Sequence, residues 1–277
     1  MKPVNFDYAR PGDVSAVLDL LKDDTRLVKL IAGGQSLGPM LNMRLVQPDL
    51  VVDLTGVAEL KGVDDRKDEI VVGACITHAD IEDYRVPDVT HDALPTVARG
   101  IAYRAVRNRG TMGGSLTHAD PSADWVSMLS AIGAKVTLRG PSGSRTLPVE
   151  DYMIGALEAD LAHGEMLVSI SIPKLSARAR WGYYKSCRKT GEFAHAIGAF
   201  VIDPERQVSR AVFGATESRP IVVTDARQLL GDLNKELSSS AFDAKAADAM
   251  IEAAGMVDAI DRKIHVVALR RAIEQAH

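Results

Sequence analysis

Residues 107–115 read RNRGTMGGS, and this short stretch decides what the chain can hold. A Gly-Gly pair lies between hydroxyl side chains, and because glycine lacks a Cβ, its backbone N–H groups can approach an anionic oxygen closely. The guanidinium groups nearby are those of Arg99, Arg104, Arg107 and Arg109. They either add positive charge to the loop or form a solvated basic face. The stretch therefore predicts a loop that suits a phosphate or diphosphate.

The loop leads into a predicted helix start at residues 120–124, which read DPSAD. Asp120 suits the capping position and Pro121 suits the first helical position. An apolar face follows, and Gly133 ends the helix. Asp124 is placed to accept hydrogen bonds from sugar or ribityl hydroxyls, or to serve as an ordinary first-turn carboxylate.

A second glycine pair lies in residues 32–39, AGGQSLGP, directly after a predicted strand at 27–31. The spacing does not match the dinucleotide pattern GxGxxG. It also departs from the Walker A loop, because Pro39 and Met40 replace the lysine and the hydroxyl residue. The segment is either a tight turn or a phosphate-binding loop of another kind.

Composition narrows the class of protein. The 277 residues carry a formal net charge of −4, with 46% hydrophobic and 25% charged side chains, as globular proteins do. The negative charge excludes a general nucleic-acid binder. We find no apolar run of about 18 residues and no signal-peptide core, so we expect no membrane span and a cytoplasmic location.

The cysteines and histidines argue against a metal site on this chain. Cys75 and Cys187 have no CxxC spacing and cannot supply a zinc or iron–sulfur ligand set. A disulfide between them stays open, with two reduced thiols favoured.

Periodicity and turn signals predict a mixed α+β chain with a boundary near residue 175. The predicted helices are 14–21, about 91–103 with Pro95 inside it, 241–254 and 262–275. The predicted strands are 27–31, 50–54, 70–74, 134–139, 144–147, 166–172, 194–202 and 208–214, with a linker at 175–180.

Together the two glycine segments, about 75 residues apart, resemble the FAD-binding medium subunit of molybdenum hydroxylases, the family of carbon monoxide dehydrogenase and xanthine dehydrogenase. Residues 120–124, Lys185 and the TGEFA sequence at 190–194 also match. The resemblance implies an α+β fold: a two-subdomain FAD-binding domain of the vanillyl-alcohol-oxidase (PCMH) type, followed by a small α+β domain of the CO dehydrogenase flavoprotein type. The implied domains are 1–175, with subdomains of about 1–57 and 58–175, and 176–277.

The resemblance also implies where non-covalent FAD binds. The glycine segments would hold the diphosphate and nearby ribityl, and Asp124 the cofactor hydroxyls. Ile101 and Leu167 would give apolar contact, and Lys185 would lie near the flavin. Phe193 would stand against the isoalloxazine, where the carbon monoxide enzyme has tyrosine. His118 and His195 either flank the flavin or are ordinary histidines. The implied cofactor residues are Ala32, Gly33, Gly34, Gln35, Ser36, Leu37, Ile101, Thr111, Gly113, Gly114, Ser115, Asp124, Leu167, Lys185 and Phe193.

The implied function is that of an oxidoreductase subunit with no acid–base residue of its own. It would take electrons from 2Fe–2S clusters on a small subunit and pass them to NAD⁺, a quinone or oxygen. The molybdenum cofactor would lie on a large subunit, and the assembly would be a dimer of heterotrimers. The alternatives are a stand-alone reductase of the same fold, similar to the enzyme that reduces enolpyruvyl-UDP-sugars, and a non-catalytic nucleotide-binding module.

Overall fold

The computed structural model describes residues 2–231 and 241–276. In these ranges the strands are β1 (Asp7–Ala9), β2 (Val28–Ile31), β3 (Leu50–Asp53), β4 (Val63–Asp65), β5 (Glu69–Gly73), β6 (Lys135–Gly140), β7 (Gly143–Pro148), β8 (Met153–Gly155), β9 (Glu158–Ala159), β10 (Met166–Pro173), β11 (Arg180–Ser186), β12 (Ala196–Asp203), β13 (Val208–Gly214) and β14 (Ile221–Val223). The helices are α1 (Val14–Leu21), α2 (Leu37–Asn42), α3 (His78–Glu82), α4 (Ala93–Gly100), α5 (Arg104–Arg107), α6 (Met112–His118), α7 (Asp124–Ile132), α8 (Val149–Tyr152), α9 (Arg227–Leu230), α10 (Ala244–Ala253) and α11 (Ala259–Glu274).

The first sheet is small and parallel, in the order β1-β3-β2. Helix α1 connects its first two strands, and the Asp13 side chain caps the helix by accepting a 2.8 Å hydrogen bond from the Ala16 N–H. Val14 and Val17 turn inward from this helix and are buried. The sheet ends where β2 runs into the first glycine segment.

The second sheet is antiparallel, in the order β4-β5-β10-β6-β7. The Gly-Pro-Ser-Gly sequence at 140–143 forms the turn of a hairpin between β6 and β7, at the strands predicted over 134–139 and 144–147. Buried and partly buried residues alternate along the second half of β10, as expected when one sheet face covers a core.

The third sheet is also antiparallel, β11-β12-β13-β14, and lies between two helices. Helix α11 packs tightly on one face, since a Cβ on Gly182 would lie 1.7 Å from the Ala272 carbonyl oxygen. Helix α7 packs against β12 and β13, and all nine of its residues are buried. Its apolar cluster includes residues of the second and third sheets, so α7 joins the two.

The structure changes three sequence expectations near the site. Helix α7 begins at Asp124, because Asp120 instead closes a turn: its carboxylate accepts from the Ser122 N–H at 2.8 Å and its carbonyl from the Ala123 N–H. The second glycine pair lies in the first turn of α6, where a loop was predicted. Strand β11, with no sequence prediction, begins at Arg180, where the expected linker ends. The boundary near residue 175 falls in the coil between β10 and β11, and as a domain boundary it stays a prediction.

The other sequence expectations differ from the structure by a few residues at their ends. Helix α1 spans the predicted residues, and α4 begins late, at Ala93, which places Pro95 in its first turn where proline is tolerated. Helices α10 and α11 occupy the two predicted C-terminal stretches, and residues 232–240 before α10 lie outside the described chain.

Candidate cofactor site

One cleft of about 650 Å³ collects the candidate residues. Both glycine segments line it, and so do residues from the second sheet and from the loop after β11. Every one of the fifteen residues named from the sequence, from Ala32 to Phe193, contributes to its wall. A cleft of this size suits a large organic cofactor.

The first glycine segment follows β2 and turns at Gly34, whose φ of +71° favours glycine. Within the described chain, no group accepts a hydrogen bond from the backbone N–H of residues 33–37. Consecutive N–H groups left free in this way form a nest for an anion. The segment therefore fits a phosphate group.

The second glycine segment begins α6. Thr111 caps the helix by accepting from the Gly114 N–H at 3.0 Å. The Gly113 N–H donates to the Ala74 carbonyl at 3.0 Å, and a Cβ on Gly113 would lie 2.6 Å from that oxygen. Glycine is thus needed at position 113, because the helix start is pressed against the end of β5.

The two segments touch each other through their backbones. A Cβ on Gly33 would lie only 1.9 Å from the carbonyl oxygen of Arg109, and the Arg109 Nε donates to the Gly33 carbonyl at 3.3 Å. This contact allows no side chain at position 33. It brings the two glycine segments together across a sequence separation of 76 residues.

The other arginines near the second segment do not line the cleft. Arg107 is buried and makes a bidentate pair with Glu82, at 2.7 and 3.0 Å. Arg104 pairs with Asp83 and also contacts Glu82. These guanidinium groups hold α5 against α3, so of the two alternatives left open by the sequence, a contribution to the phosphate site is not supported for Arg104 and Arg107.

Asp124 lies at the first position of α7 and is 6% exposed. Its Oδ1 accepts from the Tyr183 hydroxyl at 2.6 Å and its Oδ2 from the Lys185 Nζ at 2.9 Å. Burial raises the pKa of the Asp124 carboxyl, while Lys185 and Tyr183 act in the opposite direction. The third sheet therefore supplies the donors that stabilise this charge.

His78 also lines the cleft, and it is not among the residues named from the sequence. Its Nδ1 accepts from the Trp125 Nε1–H at 3.0 Å, so the neutral ring carries its proton on Nε2. Burial, with a smaller contribution from the Arg107 charge, lowers the pKa of His78 to about 4. The ring is neutral at physiological pH.

Of the other histidines and cysteines named from the sequence, His118 and Cys75 line the cleft, and His195 and Cys187 do not. His195 is instead exposed. Cys75 lies in the wall, and burial raises the pKa of its thiol to about 11. Cys75 and Cys187 are both free thiols, as the composition favoured.

The cleft also has an apolar part. Ile101 and Leu167 belong to its wall, and Leu167 packs in the core of the second sheet. Phe193 borders the cleft but is 74% exposed, so its ring is open both to solvent and to a molecule bound in the cleft. The arrangement offers backbone donors for an anion, a buried acid for hydroxyl groups and apolar surface for a ring.

Tyr183 is the residue that sequence reasoning missed. The signal was the alternation of Tyr183 and Lys185, which places both on one face of a strand, but the strand itself was not predicted.

Two features are absent from residues 2–231 and 241–276. They contain no group of three or more His, Cys, Asp or Glu residues able to hold a metal ion. They also contain no helix with the length and apolar character needed to cross a membrane.

Comparison with known proteins agrees with this geometry. Residues 4–175 match the family described as "FAD binding domain in molybdopterin dehydrogenase". The chain is 33% identical to the caffeine dehydrogenase subunit beta of Pseudomonas sp. (strain CBB1), over 74% of this chain and 70% of that one. It is 31% identical to the carbon monoxide dehydrogenase medium chain of Afipia carboxidovorans, over 100% and 98% of the two chains.

A solved structure is similar over the whole fold. Quinoline 2-oxidoreductase from Pseudomonas putida 86 matches with a TM-score of 0.87 and 32% identity, covering 100% of this chain and 98% of that one. The α+β fold and the family resemblance expected from the sequence are confirmed.

Proposed function

This chain belongs to the FAD-binding family of molybdopterin dehydrogenases, as the FAD-binding medium subunit of a molybdenum hydroxylase, and from that premise we propose that it carries electrons between subunits and an external acceptor. The electrons would come from 2Fe–2S clusters of a small partner subunit and leave to NAD⁺, a quinone or oxygen. A large partner subunit with the molybdenum cofactor would oxidise the substrate. The assembly would be a dimer of heterotrimers.

The observation that carries the proposal is the junction of the two glycine segments in one cleft. The start of α6, whose N–H groups at residues 112–115 are paired within the chain, lies beside the free N–H groups of residues 33–37 because Gly33 admits the Arg109 backbone. These donors would hold the cofactor diphosphate. Bound FAD supplies a centre that stores two electrons and exchanges them singly or in pairs.

Other residues of the cleft would orient the cofactor and exclude water. Asp124 would accept hydrogen bonds from its hydroxyl groups, and Ile101 and Leu167 would cover its apolar surface. Lys185 would lie near the flavin, and Phe193 would stand against the isoalloxazine ring. None of these side chains need exchange a proton with a substrate, so this chain orients a redox group and needs no acid or base of its own.

Isolation of the intact assembly through a tag on this chain tests the proposal. A large and a small subunit should copurify, and the visible spectrum should show flavin and iron–sulfur absorption. After anaerobic reduction with dithionite, addition of NAD⁺, a soluble quinone or oxygen identifies the acceptor as the one that restores flavin absorption fastest.

A flavin-free control makes the test specific. Assemblies carrying Gly33→Ala should bind partners but pass electrons to the acceptor slowly. Flavin absorption that never changes on reduction would contradict the proposal and favour a nucleotide-binding module. Steady oxidation of NADPH by the isolated chain would instead favour the stand-alone reductase.

A further inference from the structure

Tyr183 makes a contact that the proposed function does not use. Its hydroxyl donates to the Asp124 Oδ1 at 2.6 Å, while Lys185, two residues along β11, donates to the other carboxylate oxygen at 2.9 Å. Residues two apart on a strand share a face, so both side chains reach α7 from the same side of the third sheet. Asp124, at the start of α7, is thus held by two donors from the third sheet.

Unlike Lys185, Tyr183 does not line the cleft. Its ring packs beside the apolar cluster that joins the second and third sheets. Because Tyr183 is not part of the cleft wall and its hydroxyl donates to Asp124, we expect its effect on binding to pass through Asp124.

We propose that Tyr183 is a positioning residue for the cofactor: it fixes the Asp124 carboxylate so that the remaining lone pairs serve the hydroxyl groups of FAD. A carboxylate has about four lone-pair directions, and the two donors from β11 occupy two of them. The inference rests on the proposed FAD site. It adds to that site a residue outside the cleft wall.

The charge on Asp124 depends on the same contact. Burial raises the pKa of this carboxyl, and the donors Lys185 and Tyr183 oppose the rise. Burial, then Asp124, and finally Cys187 just after β11 raise the pKa of the Tyr183 hydroxyl. Removal of the Tyr183 hydroxyl takes away one donor to the charged form, so the pKa of Asp124 rises further.

Titration of the full-length, flavin-free chain with FAD, followed by flavin fluorescence, tests this role. We expect Tyr183→Phe to weaken FAD binding about tenfold, as for loss of a hydrogen bond to a charged group. The loss of affinity on acidification should also begin at a higher pH in this variant than in the parent chain. Tyr184→Phe is the matched control, because Tyr184 lies on the opposite face of β11 and its hydroxyl contacts Arg271 instead.

A double-mutant cycle separates positioning from a general structural effect. In an Asp124→Asn background, Tyr183→Phe should weaken FAD binding by much less than it does alone. Equal losses in both backgrounds, or an unchanged acid limb in Tyr183→Phe, would overturn the inference even if the parent chain binds FAD normally. A parent chain that binds no FAD would overturn the proposed function itself. Near-ultraviolet circular dichroism confirms that each variant is folded before titration.

Discussion

The hydroxyl oxygen of Ser127 lies 1.9 Å from the point where a Cβ of Gly214 would stand. Ser127 belongs to the fully buried helix α7, and Gly214 ends strand β13. The helix thus rests directly on the backbone of the third sheet. This close packing fixes the helix that begins with Asp124.

The contact predicts that a destabilising substitution at Gly214 is partly compensated by a second substitution at Ser127. Gly214→Ala should lower the free energy of unfolding by about 1–3 kcal/mol, because the new methyl group overpacks the junction. Ser127→Ala alone should change it by about 1 kcal/mol or less, since its Oγ has no partner in the described chain. The double variant should recover part of the loss, because a shorter side chain then faces the methyl group. Urea unfolding of the three variants measures this, and a double variant less stable than Gly214→Ala would contradict it.

Gly33→Ala tests the junction of the glycine segments. The added Cβ would collide with the Arg109 carbonyl, so the segments must separate. We expect FAD affinity to fall at least about tenfold. The control is Gly38→Ala in α2, where a Cβ meets no atom within 4 Å. Fluorescence titration with FAD compares them, and equal affinity of the two variants would contradict the role of the junction.

Lys185→Met should be strongly destabilising. The change leaves the buried Asp124 carboxylate without its cationic partner, which costs about 3–5 kcal/mol. Lys189→Met, at a largely exposed lysine that pairs with Glu192, should cost about 1 kcal/mol or less. Denaturant unfolding at neutral pH distinguishes the two. Similar losses would mean that the Asp124 pair is as weak as a surface ion pair.

His78 predicts how stability depends on pH. Burial lowers its pKa from 6.5 in the unfolded chain to about 4 in the folded one. Between pH 6.5 and about pH 4 the unfolded chain binds a proton at His78 that the folded chain does not. The free energy of unfolding therefore falls as the pH falls through this range, by roughly 3 kcal/mol in total. Stability measured across this range should fall less steeply in His78→Asn, whose amide oxygen can still accept from Trp125. An equally steep fall in His78→Asn would contradict this assignment.

Local signals predicted the parts of the site that depend on local chemistry. The glycine pairs could be found because only glycine admits the backbone approach that Gly33 and Gly113 make. The start of α7 was misplaced because an Asp-Pro-Ser sequence begins turns as well as helices, and here the Asp120 carboxylate closes a turn. Local sequence could not distinguish these outcomes, since Pro121 satisfies both.

Contacts between distant segments were beyond a single sequence. Tyr183 and Asp124 are 59 residues apart, and nothing near either one indicates the other. Because Arg107 precedes the glycine pair, the sequence left it either adding charge to that loop or lying on a solvated basic face. Its partner Glu82 lies 25 residues earlier and holds it elsewhere. The family resemblance supplied cofactor residues that composition alone did not.

The two hydrogen bonds from β11 to Asp124 would also impose an order on folding and cofactor binding during synthesis. Both glycine segments leave the ribosome long before β11, and β11 itself packs through Gly182 against Ala272 of α11. A nascent chain that ends before α11 would therefore offer the backbone donors of residues 33–37 for a diphosphate but would lack the packing that holds β11 and its donors to Asp124. With FAD bound as proposed, cofactor loading would wait for a helix more than 130 residues beyond Asp124, and flavin content would report whether the third sheet has folded.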